Sequence, residues 1–342
     1  MSRALKEIAV EPSLIEGARN AVDVCLRVQR HEKVALITDQ ASIEIAAALA
    51  AELDKLGAAY RCWTLEEVAP RPLAEMPRAV LDDLETSQVS IFAAQAQANE
   101  LRSRMQMTEV VSRRRIRHAH MVNISKQIMR DGMRADFREV DRISLRVMEI
   151  ARAAALVRAK TPAGTDLIAE MNPDYKWLKT SGIISQNTWG NLPGGEIFTT
   201  PGEVNGTFVV DGVVGDYLCA KYGDLQREPL TIRIKGNRLT EAHSTNRPLE
   251  DEFWRYTHTD ENSDRVGEFA IGTNIGVRDV IGNILQDEKI PGLHIAFGDP
   301  YGSYTGAQWH CSTHIDVVGR KFDIWADERM IMRAGEFVLS DD

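Results

Sequence analysis

The sequence predicts an α/β protein in which an N-terminal α/β domain with a mostly parallel sheet precedes a β-rich C-terminal domain. Two observations lead to this prediction. Amphipathic helical segments alternate with short apolar segments up to about residue 160, and beyond it Gly, Pro and Asn become frequent while short strand patterns replace the helices. We therefore expect one domain at residues 1–160 and a second at residues 161–342.

The first half supports the parallel sheet because its helix and strand patterns alternate. Apolar residues at helical spacing predict helices at 13–29, 42–58 and 137–159, and short apolar runs predict strands at 33–39, 59–65, 88–95 and 120–125. Ser42 is a possible N-cap of the second helix, and Gly57 is its expected stop. No glycine-rich nucleotide or dinucleotide motif follows a strand, so neither kind of site is expected.

The second half reads as strands and turns. The segment at 230–242 places "KGN" between two alternating runs and predicts a hairpin. The turn-forming segment "KTPAGTD" in the 160s is interpreted as the linker between the two domains.

Composition and charge disfavour several classes of function. A net charge of −9 argues against a broad nucleic-acid-binding surface, and the basic run at 112–120 is interpreted as a solvated helix end or loop. No run is long and apolar enough to span a membrane, and the N-terminal segment lacks the apolar core of a signal peptide, so we expect a cytoplasmic protein. The cysteines lie far apart and are expected to be free thiols: Cys25, Cys62, Cys219 and Cys311.

The segment "HCSTHIDVV" at 310–318 contains the first candidates for chemistry. On an extended chain, His314 and Asp316 point to one face about 6.6 Å apart, which would let them share an ion or bind neighbouring ions. For this pair alone, a polar edge strand is the favoured interpretation.

Two carboxylates strengthen the case for a metal. Glu196 and Glu268 each follow a glycine and precede apolar residues typical of a strand. Burial of Glu268 would require a positive partner, and Arg265 is the only basic residue beside it, so a metal ion is a reasonable hypothesis. An exposed strand start remains the alternative for Glu268.

Taken in order, the motifs "GGEIFTTP", "GEFAIGTN", "HIAFGDPY" and "THIDVV" resemble the metal-binding region of the M29 peptidases, the group of aminopeptidases T and S, over residues 165–342. The resemblance implies a leucyl aminopeptidase-like enzyme that binds two divalent ions, zinc, cobalt or manganese. It also implies a homodimer. The residues it implies as metal ligands are Glu196, Glu268, His294, His314 and Asp316.

The resemblance further implies the roles of two residues. Glu268 would also act as the general base on a water molecule, and Tyr301 would donate a hydrogen bond to the tetrahedral oxyanion. The expected substrate is a short peptide or a small amide, cleaved at the N-terminal residue, and neither nucleic acid nor membrane is an expected partner.

Two other functions stay open. His294 and His314 are 20 residues apart, closer than the resemblance leads us to expect, and that segment lines the substrate cleft in the family. The family also resembles 2,5-dihydroxypyridine dioxygenase, an Fe(II) ring-cleaving enzyme in which histidine takes the place of Glu268. Retention of both acids favours hydrolysis over the dioxygenase, and a non-catalytic protein with the same fold is the last alternative.

Other residues have weaker claims to the site. Tyr304 is a less well spaced alternative to Tyr301, and His310 is either a supporting neighbour of His314 or a surface residue. His258 lies in a polar segment. Trp189 and Trp309 fit cleft walls and core packing equally well.

Overall fold

The computed structural model describes residue 5, residues 7–187 and residues 189–339. Its strands are, in chain order, β1 Lys33–Thr38, β2 Ala59–Thr64, β3 Val89–Ala94, β4 Arg117–Val122, β5 Leu156–Lys160, β6 Asp166–Glu170, β7 Leu178–Lys179, β8 Gly190–Asn191, β9 Glu196–Thr199, β10 Glu203–Val210, β11 Leu230–Lys235, β12 Arg238–Ser244, β13 Val266–Gly272, β14 Gly292–Gly298, β15 His314–Val318, β16 Asp323–Ala326, β17 Arg329–Arg333 and β18 Glu336–Phe337.

The α-helices are Ile15–Arg19, Ile43–Leu56, Leu65–Val68, Arg78–Leu84, Leu101–Arg114, Lys126–Arg130, Phe137–Ala153, Asp216–Tyr222, Arg247–Tyr256, Ile284–Asp287 and Gly302–Thr305. Pro12–Leu14 and Gly132–Arg134 form 3₁₀ turns, and Asn20–Cys25 is a π-helical segment. Among the described residues, no helix combines the length and the apolar character that crossing a bilayer requires.

The described residues form two compact units whose bounds differ from the expected division at residue 160. Unit 1 contains residues 1–138 and 182–194, and unit 2 contains residues 139–181 and 195–342. The chain thus leaves unit 1 at residue 138, returns to it at 182 and leaves it again at 194. The return supplies β8, which pairs with β4, and such an excursion leaves no signal in composition.

Unit 1 contains the predicted parallel sheet, in the order β2-β1-β3-β4-β8. The helix at Ile43–Leu56 ends at Gly57, whose φ of 73° is a left-handed conformation that glycine adopts without a steric penalty. The predicted segment at 120–125 is wrong by three residues, because β4 begins at Arg117 and contains the last residues of the basic run. Within that run, Arg113 pairs with Glu85.

An ion-pair network occupies the carboxyl ends of the two central strands of this sheet. The Arg71 guanidinium lies 2.8 Å from Asp39 Oδ2, just after β1, and donates to the carbonyl of Gln95, just after β3, at 2.5 Å. It also pairs with Glu100, and its side chain is 4% exposed. In open α/β sheets this crevice commonly binds ligands. Here the side chains of Arg71, Asp39 and Glu100 occupy it.

Unit 2 contains two antiparallel sheets. One has the order β12-β11-β10-β6-β5-β16-β17-β18, and the other has the order β15-β14-β13-β9-β7. Both contribute to one hydrophobic cluster, which includes Phe208 and Ile232 from the larger sheet and Phe269 and Phe297 from the smaller one. The chain is therefore a mixed α/β protein with a parallel sheet and additional antiparallel sheets, as predicted.

The boundary region at 137–170 differs from its prediction. The helix ends at Ala153 rather than 159, because Val157 and Ala159 alternate as buried residues of β5. The predicted linker "KTPAGTD" is the turn between the antiparallel strands β5 and β6. By contrast, the hairpin at 230–242 is confirmed: β11 and β12 meet at Gly236 and Asn237, whose positive φ angles of 56° and 66° suit a tight hairpin turn.

Candidate metal centre

The five-stranded sheet of unit 2 positions all five predicted ligands on one face. Glu268 and Asp316 are both register partners of Ala296 on β14, which lies between their strands. Since side chains alternate along a strand, His294 faces the same way as Ala296, and His314 does so opposite Gly298. Glu196 is the register partner of Gly272, which lies four residues after Glu268 on β13. Its side chain is therefore on the same face as that of Glu268. The face that carries these ligands is called the ligand face below.

The opposite face of the same strands belongs to the hydrophobic cluster of unit 2. Its side chains are large and apolar: Ile197, Phe269, Ile271, Leu293, Ile295, Phe297, Ile315 and Val317. On the ligand face the intervening positions are small, with Ala270 and Ala296 between the charged groups. Strands β13 and β14 are buried along their whole length, so the ligand face is covered as well. Because large apolar residues alternate with small or polar ones, one face of these strands contributes to the hydrophobic core and the other carries the candidate site.

The ligand atoms lie close together. His294 Nε2 is 3.5 Å from Glu268 Oε1 and 3.6 Å from Glu196 Oε2. His314 Nε2 is 3.6 Å from Glu268 Oε2 and 3.3 Å from Asp316 Oδ1. Two groups of three potential ligands result, Glu196–Glu268–His294 and Glu268–His314–Asp316, and Glu268 belongs to both.

The donor set fits divalent metal ions. His294 is 1% exposed, yet its Nε2 has no hydrogen-bond partner among the described residues. Buried polar atoms normally have partners, so an unpaired ring nitrogen facing two carboxylates fits a site built for a cation. Carboxylate oxygens and imidazole nitrogens together suit zinc, cobalt or manganese better than an ion that prefers thiolates.

A backbone contact orients His314. Its Nδ1 lies 2.9 Å from the carbonyl of Asp299, so Nδ1 donates and Nε2 faces Glu268 and Asp316. Fixing one ring nitrogen in this way leaves the other as the metal ligand.

The site is held together electrostatically by pairs of opposite charge. Burial would raise the pKa of Asp316, but His314 outweighs it and lowers the pKa to about 2. Burial would likewise lower the pKa of His314, but Asp316 and Glu268 raise it to about 10. A divalent ion at this position would take the place of the His314 proton.

Two charged residues of this site escaped the sequence analysis. Lys289 is 1% exposed, and its Nζ lies 2.7 Å from Glu196 Oε1 and also contacts Glu288. Burial would raise the pKa of Glu196, but Lys289 and then His294 outweigh it and keep that pKa below its ordinary value. In sequence, "QDEKIPG" looks like a solvated turn, and only its position just before a fully buried strand hints at the inward direction of Lys289.

Glu288 adds a further carboxylate to the neighbourhood. Together with His294 and Asp316 it forms a third group of potential ligands. Burial raises the pKa of Glu288 to about 8, and the nearby Asp316 and Glu196 add to the rise although Lys289 opposes it.

Of the two candidate tyrosines, Tyr301 lies at the site. Its ring centroid is 4.4 Å from that of His314, and the side chain is 40% exposed. Burial and the carboxylates of the site raise the pKa of Tyr301 further above its ordinary value, so the hydroxyl keeps its proton. Tyr304 lies in the short helix that follows and is 56% exposed.

The remaining candidates lie elsewhere. His310 is exposed in the loop before β15, and His258 is exposed and stacks on Trp254. Trp189 packs against histidines of unit 1, while Trp309 lies under the Arg265 guanidinium. Arg265 therefore does not serve as the ion-pair partner of Glu268. The cysteines are free, as expected.

Comparisons with known proteins identify the family of this chain. The sequence model of the thermophilic metalloprotease family M29 matches residues 138–314, more than half of the chain. The matched segment contains all the predicted site residues except Asp316. A 2,5-dihydroxypyridine 5,6-dioxygenase of Pseudomonas putida KT2440 is 24% identical over 206 residues, or 56% of this chain; the chain spans 57% of that relative's length.

Two solved structures share the fold. One is the 2,5-dihydroxypyridine dioxygenase of Pseudomonas putida KT2440, with a TM-score of 0.69 and 16% identity over 96% of this chain and 97% of the other. The second is wild-type AmpT of Thermus thermophilus, with a TM-score of 0.68 and 16% identity over 97% of this chain and 100% of the other. By its family match and its fold, this chain belongs to the M29 family of metalloproteases.

Proposed function

We propose that this protein is a metal-dependent aminopeptidase-like hydrolase that removes N-terminal residues from short peptides or cleaves a small amide. Family membership supports a metallopeptidase. The restriction to N-terminal residues, the use of two ions and the assembly as a homodimer are parts of the proposal.

The observation that carries the proposal is the position of Glu268. One of its carboxylate oxygens faces His294 and the other faces His314, at 3.5 and 3.6 Å. A carboxylate that faces two imidazoles through different oxygens could serve as a ligand in both groups of potential ligands. Glu196 and His294 would complete the ligands on one side, and His314 and Asp316 those on the other.

Divalent ions held by these residues would lower the pKa of a bound water and polarise a scissile carbonyl. The chain's own groups supply the remaining chemistry. Glu268 accepts the proton of the attacking water as general base, and Tyr301, which keeps its proton, donates a hydrogen bond to the oxygen of the tetrahedral carbon.

The second candidate is an Fe(II)-dependent ring-cleaving dioxygenase. The identity to the Pseudomonas putida dioxygenase and the shared fold favour it. Two retained acids, each facing a histidine, favour the hydrolase, because Glu268 belongs to both groups of potential ligands.

The test compares the two chemistries on one preparation. The protein is stripped of metal, reconstituted separately with Zn²⁺, Co²⁺, Mn²⁺ and anaerobic Fe²⁺, and assayed with aminoacyl nitroanilides and with dihydroxypyridines under oxygen monitoring. We expect two ions per chain and amide hydrolysis. One iron per chain with dioxygen uptake would establish the dioxygenase instead.

A matched pair of variants controls for fold. Glu268→Gln should lower kcat by about 10²- to 10⁴-fold, the range typical of a lost general base, and should reduce the bound metal. Glu203→Gln changes an exposed glutamate on β10 and should leave both unchanged. Equal activity of the two variants would exclude the proposed role of Glu268.

A further inference from the structure

The Arg265 side chain is positively charged, and no carboxylate of the described residues forms an ion pair with it. Its guanidinium lies 3.6 Å from the centroid of the Trp309 ring and makes no ion pair with a described residue. The Trp309 indole is held in turn: its Nε1 donates to the carbonyl of Gly298 at 3.3 Å, and Tyr175 packs edge-on at 6.5 Å. A guanidinium stacked on a fixed ring is restricted in position, while its N–H edge stays available.

The neighbouring Arg238 provides a comparison, because its guanidinium has partners within the protein. Arg238 and Arg265 are backbone bridge partners. The Arg238 guanidinium pairs with Asp264 and donates to the carbonyl of Glu261, so its charge and its donors are used within the protein. Arg265 has an equivalent backbone position but pairs with no carboxylate in the part of the chain that the structure describes.

Arg265 lies beside the ligand face. Val266 pairs with Phe297 and belongs with it to the hydrophobic cluster, because a β-bulge at Gly267 separates Val266 from Glu268. Alternation before the bulge therefore places the Arg265 side chain on the ligand face. The amide of Gly298 donates to the Arg265 carbonyl at 2.7 Å, and Gly298 is the register partner of His314. The backbones of Arg265 and His314 are therefore two strand spacings of about 4.8 Å apart, a total of about 10 Å.

We propose that Arg265, held on Trp309, binds the C-terminal carboxylate of a short peptide substrate, an inference that rests on the proposed peptidase function. A guanidinium edge matches a carboxylate through two parallel hydrogen bonds. An extended peptide advances about 3.3 Å per residue, so the backbone separation of about 10 Å corresponds to a peptide of about two to four residues. The enzyme would thus favour free short peptides over long or capped chains.

The experiment compares Leu-Gly-Gly with Leu-Gly-Gly-amide, which differ only in the charge of the C-terminus. We expect the metal-loaded enzyme to prefer the free acid about 10- to 100-fold in kcat/KM, chiefly through KM, as a charge-assisted hydrogen-bond pair would give. In Arg265→Gln the ratio should fall to about 1. Arg265→Lys, which keeps the charge but not the planar fork, should give an intermediate ratio.

Arg238→Gln is the matched control, because it removes an equal charge nearby from an arginine already paired with Asp264. Its ratio should equal that of the unaltered enzyme. If the unaltered enzyme cleaves both peptides equally well, or if Arg238→Gln lowers the ratio as much as Arg265→Gln does, the subsite is refuted while the peptidase function stands.

Calorimetric binding of Gly-Gly and Gly-Gly-amide, which needs no turnover, separates the two proposals. A preference for Gly-Gly that Arg265→Gln removes supports the subsite even if neither tripeptide is cleaved, an outcome that would refute only the peptidase function. Equal binding of both dipeptides by the unaltered protein overturns the subsite. Thermal melting of Arg265→Gln verifies that the variant is folded.

Discussion

Replacing Lys289 by methionine should destabilise unit 2 strongly. Lys289 is buried beside Glu196, with 2.7 Å between Nζ and Oε1, and methionine fills a similar volume without the charge. The change would leave the Glu196 carboxylate buried with one cation fewer. Removing one partner of a buried ion pair costs about 3–5 kcal/mol, because the remaining charge loses its compensation.

The loss can be measured as a melting temperature in the presence of a chelator. For a unit of this size, 1 kcal/mol shifts the melting temperature by about 2–4 °C, so Lys289→Met should melt about 6–20 °C lower. Adding zinc should recover part of the difference, since a bound ion supplies positive charge at the same carboxylate.

Two further variants test the reasoning. Lys160→Met removes the Lys160–Asp166 pair, whose partners are 49% and 60% exposed, and exposed pairs contribute only about 0–1 kcal/mol. Combining Lys289→Met with Glu196→Gln should restore stability, because the uncompensated carboxylate is gone. Equal melting of Lys289→Met and Lys160→Met, or no restoration in the double variant, would refute the account.

Two further predictions concern other parts of the molecule. Burial lowers the pKa of His118 well below 6.5 and that of His120 to about 3, so both stay neutral when folded and protonate when unfolded. The free energy of unfolding should therefore fall as the pH drops below 6.5, by about 1.4 kcal/mol per histidine between pH 7.5 and 5.5. Urea unfolding should show a smaller decrease over this pH range for His118→Asn than for the unaltered protein. Gly298 has a φ of +107°, and a Cβ there would lie 2.1 Å from the Thr313 carbonyl, so Gly298→Ala should cost at least about 2 kcal/mol and weaken zinc binding in a calorimetric titration. Gly190→Ala, where a Cβ meets no atom within 4 Å, is the control; similar losses in both alanine variants would contradict this reading.

The strand alternation around the candidate site could be predicted from sequence. Polar or small residues alternate with large apolar ones in "GEFAIG", "GLHIAFG" and "HIDVV", and period-two alternation fixes which side chains share a face. Which strands are neighbours is a long-range property. The match to a family's ordered motifs brought Glu196 together with residues more than 70 positions away.

What escaped prediction depends on contacts distant in sequence. Lys289 follows two acids in a segment typical of an exposed turn, and its burial is favourable because Glu196 and Glu288 pair with its ammonium group. The helix ending at Ala153 continues in sequence with good helix formers, and pairing with β6 and β16 makes the next residues a strand. Arg265 was considered as a partner for Glu268, whereas the orientation of Trp309 determines its position.

The candidate ligands come from four strands of one sheet, β9, β13, β14 and β15. An ion bound there would act as a cross-link between segments that the chain brings together only in its folded form, and its binding free energy would add directly to the resistance of that sheet to heat. Loss of metal and loss of structure would then promote each other, so that chelators should make this unit more susceptible to proteases.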